Sequence, residues 1–103
     1  MSADGNSGSR TDCNVTIVNR RGLHARAAAK FVETAGKFGA AIEVTRCGQT
    51  VSGRSIMGLM MLAAGPGSEI EITAEGSDCS EALGALRELV ENGFDEDMGE
   101  TPA

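Results

Sequence analysis

Glu69-Ile70-Glu71-Ile72-Thr73 alternates polar and apolar side chains without a break. A period of two sets Ile70 and Ile72 on one face and the polar residues on the other, which reads as a strand with one buried side. Gly65-Pro66-Gly67 breaks the chain just before it. After it, residues 77–80 offer a helix cap. Leu83, Leu86, Leu89 and Val90 then recur at helical spacing until Asn92-Gly93 closes the run.

Working outward, Val15-Thr16-Ile17 alternates too and predicts a short first strand ending near Val18. Residues 19–22 make a loop. A helix is expected from Ala25, because Ala28, Phe31, Val32, Ala35 and Phe38 share one face. Two strands follow at residues 41–45 and 49–52, joined through Arg46-Cys47-Gly48, whose length and chemistry suit a hairpin turn. Ser55 reads as the N-cap of a short helix running to about Ala64. The order is therefore β-α-β-β-α-β-α. The first helix crosses between strands one and two, so these run in the same direction with a gap between them. The fourth strand fills that gap antiparallel to both. The expected fold is α+β: a four-stranded antiparallel sheet of order 1-4-2-3 with three helices on one face, an open-faced β-sandwich.

A chain of 103 residues makes one domain, expected over 13–94. Residues 1–12 are polar and predict a disordered extension. Residues 95–103 predict a flexible acidic tail. With three Phe and no Trp or Tyr, the core has to be aliphatic. A net charge of −6 argues against nucleic-acid and anionic-membrane partners. Cys13, Cys47 and Cys79 lack metal-ligand spacing and are read as structural or incidental, with no metal and no cofactor expected. Free thiols and a polar start without an apolar stretch fit the cytoplasm.

The single histidine lies in Gly22-Leu23-His24-Ala25-Arg26-Ala27-Ala28. A helix start gathers unpaired backbone N–H groups and partial positive charge, which favour a bound anion. An imidazole placed there is a competent nucleophile, and a phosphoryl group on it falls among those donors. Arg26 adds a guanidinium whose fork suits phosphate oxygens. These residues point to a phosphohistidine site.

Three blocks, Gly22-Leu23-His24-Ala25-Arg26, Gly53-Arg54-Ser55-Ile56-Met57-Gly58-Leu59 and Ile72-Thr73-Ala74-Glu75-Gly76, stand in an order that resembles HPr, the phosphocarrier of the phosphoenolpyruvate-dependent phosphotransferase system. The resemblance spans about Val15 to Phe94. It implies that His24 accepts a phosphoryl group through Nδ1 from phosphorylated enzyme I and passes it to an EIIA domain. It also implies that Arg26 stabilises that group and that the amides of Ala25 and Arg26 are donors. The ending Asn92-Gly93-Phe94-Asp95-Glu96-Asp97 resembles the nitrogen-branch paralogue NPr, so the sugar-uptake and nitrogen-regulatory branches both fit. Where the family usually has proline, this chain has Ala27, which gives up a fixed φ and keeps an N–H. In part of the family the serine matching Ser55 is phosphorylated by an HPr kinase/phosphorylase. A plain helix cap is the other reading of Ser55, and both stand at this point.

In the short helix, Ile56, Met57 and Met60 fall on one arc, with Leu59, Leu62 and Ala63 on the adjoining one. The resemblance turns Leu59 and Leu62 to the sheet. The first arc is then an exposed, Met-rich surface suited to several brief partners. Arg20 and Arg21 flank the site loop, either steering acidic partners or simply solvated, and Lys30 and Lys37 are expected to face solvent. Two other functions compete with this one: a regulator that acts by binding, and a small phosphatase. The phosphatase lacks a second base, a phosphate-loop cysteine and a metal constellation. The expected protein is a monomeric carrier rather than an enzyme.

Overall fold

The computed structural model describes residues 9–95. Its elements are β1 (Arg10–Thr16), α1 (Ala25–Ala35), β2 (Ala41–Arg46), β3 (Gln49–Ser52), α2 (Ile56–Met61), β4 (Glu69–Glu75) and α3 (Cys79–Glu91). A short left-handed turn follows at Gly93–Asp95. The four strands form one antiparallel sheet in the order β1-β4-β2-β3. This is the order that the crossover argument predicts.

The alternating β4 lies in the centre of the sheet. Val15 pairs with Ile70, Cys13 with Ile72 and Val44 with Ile72. Their buried faces meet Phe31 of α1, Leu59 of α2 and Leu86 and Val90 of α3, all fully covered. The core is aliphatic apart from Phe31 and Phe94. The opposite face of the sheet carries Asp12, Asn14, Glu43, Glu69 and Glu75, all exposed. Among the described residues no helix is long and apolar enough to cross a membrane.

Several boundaries differ from the sequence reading. Arg10, Thr11 and Asp12, expected in a disordered extension, are the first half of β1 and pair with Glu75, Ala74 and Thr73. Side-chain alternation could not report this, because Arg10 and Asp12 face water and Thr11 is no strong apolar marker. The pairing comes from the backbone of β4, which runs on to Glu75. The rest of the expected extension, and residues 96–103 of the acidic tail, lie outside the described residues. The hairpin loop is two residues, Cys47-Gly48, both with positive φ (51° and 83°), between the paired Arg46 and Gln49. That is the twist a two-residue β-hairpin prefers. α2 stops at Met61 rather than near Ala64, and Ala63 takes a left-handed φ of 54°.

Lys30 does not simply face solvent. Its Nζ donates to the carbonyl of Phe94 at 2.8 Å. Phe94 is itself buried at φ 58°, so the end of α3 is tied to the middle of α1. Asp78, the N-cap of α3, does not cap its own helix; its Oδ2 accepts from the Gly39 amide at 2.8 Å.

Candidate functional site

The loop before α1 is built from the backbone outward. Asn19 is fully buried, and its Nδ2 donates to the Gly22 carbonyl at 2.9 Å. Gly22 takes φ +67°, and a Cβ there would lie 2.5 Å from the Ala64 carbonyl oxygen. Leu23 N–H donates to that same oxygen at 2.9 Å, and His24 N–H turns back to the Gly22 carbonyl at 2.9 Å. The loop is thus held against the segment that follows α2.

These contacts deliver His24 to the N-cap of α1, with extended φ and ψ of −82° and −177°. The helical ladder starts when Ala28 N–H reaches the His24 carbonyl at 2.8 Å. The amides of Ala25, Arg26 and Ala27 precede that ladder and face the open end of the helix. His24 is half-buried, Ala25 and Arg26 are exposed, and Ala27 is fully buried. No acidic side chain lies in the first turn to compete for those amides. Nδ1 lies as many bonds from Cα as the oxygen of a capping aspartate, so a group bonded to Nδ1 reaches beyond the position of a cap acceptor, over the open end of the helix. Arg20 and Arg21 are also exposed on this loop. The arrangement is a nucleophilic nitrogen, three convergent N–H dipoles and nearby guanidinium groups, which suits a transferable anion.

Ser55 caps the other end of the neighbouring helix. Its Oγ accepts from Gly58 N–H at 2.9 Å. Six residues of α2 separate Ser55 from the His24 side of that helix, about 9 Å along its axis. Between them, Ile56, Met57 and Met60 are 40%, 70% and 40% exposed, whereas Leu59 and Leu62 are buried. Sequence reasoning missed Met61, which is 65% exposed, and Val18. The helical angles that group these side chains run past the real end of α2 at Met61, and Val18 lies beyond β1, which ends at Thr16. It also missed Arg46, whose Nη1 donates to the Leu62 carbonyl at 3.1 Å and fixes the C-terminal end of α2. Arg54 is spent on the carbonyls of Phe38 and Ala40, at 3.0 and 2.8 Å.

The cysteines lie apart from this region. Cys47 is in the hairpin turn, and Cys79 is buried at the start of α3. Burial pushes the Cys13 thiol above its ordinary range. Arg87 pulls it back, while Glu91 and Asp12 add to the rise.

A four-stranded antiparallel sheet of this order, with a histidine at the N-cap position of the first of its helices, is the arrangement of a class of small phosphocarriers. Residues 11–92 match the family model PTS-HPr, described as the PTS HPr component phosphorylation site. The chain is 52% identical to the phosphocarrier protein HPr of Pseudomonas aeruginosa over 83 residues, covering 80% of this chain and 92% of the relative. It is 47% identical to that of Neisseria meningitidis, covering 81% and 93%. The crystal structure of HPr from Thermoanaerobacter tengcongensis superposes with a TM-score of 0.81 at 42% identity, over 85% of this chain and 99% of that one. HPr from Bacillus anthracis gives 0.76 at 48%, over 80% and 98%. The chain belongs to the HPr family, the phosphocarriers of the phosphotransferase system.

Proposed function

We propose that His24 carries the phosphoryl group, taking it from phosphorylated enzyme I and giving it to an EIIA-type domain in the cytoplasm. The observation that supports this most is the place of the imidazole at the N-cap of α1, next to amides outside the helical ladder. In the transfer, the Nδ1 lone pair bonds to phosphorus as the donor's bond to phosphorus breaks, and the donor keeps that electron pair. Positioning and charge stabilisation are the main tasks left to the protein. The amides of Ala25 and Arg26 supply backbone donors, and the Arg26 guanidinium offsets the charge on the moving group. Ile56, Met57 and Met60 form the apolar surface on which both partners dock in turn.

Ser55 is proposed as a regulatory position, a target of an HPr kinase/phosphorylase. A phosphate on its Oγ sits at the positive end of α2, where the fold tolerates it. It also puts a dianion next to the exposed patch, which weakens docking of an apolar partner face. The chain acts as a monomer and turns over nothing alone.

The test is phosphorylation with phosphoenolpyruvate and enzyme I, followed by intact mass, with His24→Ala alongside. One acid-labile phosphoryl group on the wild type and none on the variant is the expected result. An unmodified wild type beside an active enzyme I, or a variant that is modified equally, overturns the reading.

A further inference from the structure

We infer that the backbone N–H of Ala27 is a third donor to the phosphoryl group on His24, in addition to the amides of Ala25 and Arg26. This rests on the proposed role of His24 and specifies how its phosphorylated form is held. The first bond of the α1 ladder belongs to Ala28, so the Ala27 amide points out of the helix end rather than back along it. A side chain at the N-cap reaches the amide three residues on, and this molecule contains the demonstration. Ser55 Oγ accepts from Gly58 N–H at 2.9 Å, and His24 stands to Ala27 as Ser55 stands to Gly58.

The phosphoryl oxygens on Nδ1 extend two bonds past the position of an ordinary cap acceptor. They span the amides of the second and third helical residues rather than only one. Ala27 is also closed to solvent, at 0% exposure. With no helical carbonyl to take it, the Ala27 amide is left to an acceptor carried on the adjacent N-cap side chain. Exclusion of water strengthens that bond, and the charge on the acceptor strengthens it further. Because the bond forms only when His24 is phosphorylated, it stabilises the phosphorylated state relative to the free one.

The experiment uses the full chain labelled with nitrogen-15, before and after phosphorylation by phosphoenolpyruvate and enzyme I, with intact mass measured on the same sample. The expected result is a gain of one phosphoryl group together with a downfield move of the Ala27 amide proton, comparable to those of Ala25 and Arg26. Ala27→Pro removes the donor at a place in the first turn where proline is tolerated. It should move the phosphoryl-exchange equilibrium with enzyme I about tenfold toward enzyme I, the weight of one hydrogen bond to a charged group. Ala27→Gly keeps the N–H, and its residue-27 amide proton should still move downfield on phosphorylation, as in the wild type. Phosphorylation without a shift at Ala27 overturns this inference and leaves the role of His24 standing. Failure of His24 to take the group removes both.

Discussion

At the scale of single residues, Gly22 decides where His24 stands. An L side chain at φ +67° costs roughly 1–2 kcal/mol by itself. The approach to Ala64 O, 2.5 Å from a built Cβ, adds a clash with backbone that has little freedom to move. Gly22→Ala is therefore expected to lower unfolding stability in urea by more than about 1 kcal/mol. It should also slow phosphoryl acceptance more than an equally destabilising change in α3 does. An unchanged denaturation midpoint would show that the loop is not held as described. The site motif was legible in the sequence at this scale because nucleophile, arginine and helix start are contiguous. Asn19 was not, since no local pattern announces the buried bond that its Nδ2 gives to Gly22 O.

At the scale of elements, α2 is the most dependent on its ends. Six residues are too few for a helix to stand on its own hydrogen bonds. The helix is held by the Ser55 cap, by the Arg46 bond to Leu62 O and by burial of Leu59 and Leu62. Removing the cap with Ser55→Ala is expected to cost about 1 kcal/mol. Amide exchange should quicken at Gly58 before it does in α1 or α3. Uniform protection across the three helices after the change would count against the cap as the N-terminal anchor. The sequence placed Ser55 at this boundary correctly, because a cap is a local signal. It overran the other boundary, because α2 ends through tertiary bonds to Arg46 and through the loop that receives Leu23 N–H.

At the scale of the whole molecule, the two sides of the sheet differ. One carries the core, the helices and the Met-bearing surface, and the other is polar, with Asp12, Glu43, Glu69, Glu71 and Glu75 among its side chains. Met57 is 70% exposed and contributes little to the core, so Met57→Glu should leave stability within about 0.5 kcal/mol of wild type. The same change puts a charge in the proposed docking surface. It is expected to reduce kcat/KM for phosphoryl transfer from enzyme I by about tenfold or more, mainly through KM. Wild-type kinetics in this variant would move the docking surface elsewhere.

The sequence by itself determined the order of elements, the central place of the Glu69–Thr73 strand, the strand order and the place of His24 at a helix start. The elements and the place of His24 follow from local signals, namely alternation, helical spacing, turn chemistry and a short motif, and the strand order follows from the crossover that this order of elements requires. Only the tertiary structure decided that Arg10–Asp12 join β1, that Lys30 holds Phe94 O and that Met61 is exposed. These depend on partners far away in the chain. The Lys30 bond spans 64 positions. A charged or polar residue carries no periodic mark of the backbone it will meet across such a separation, so folding alone reveals it.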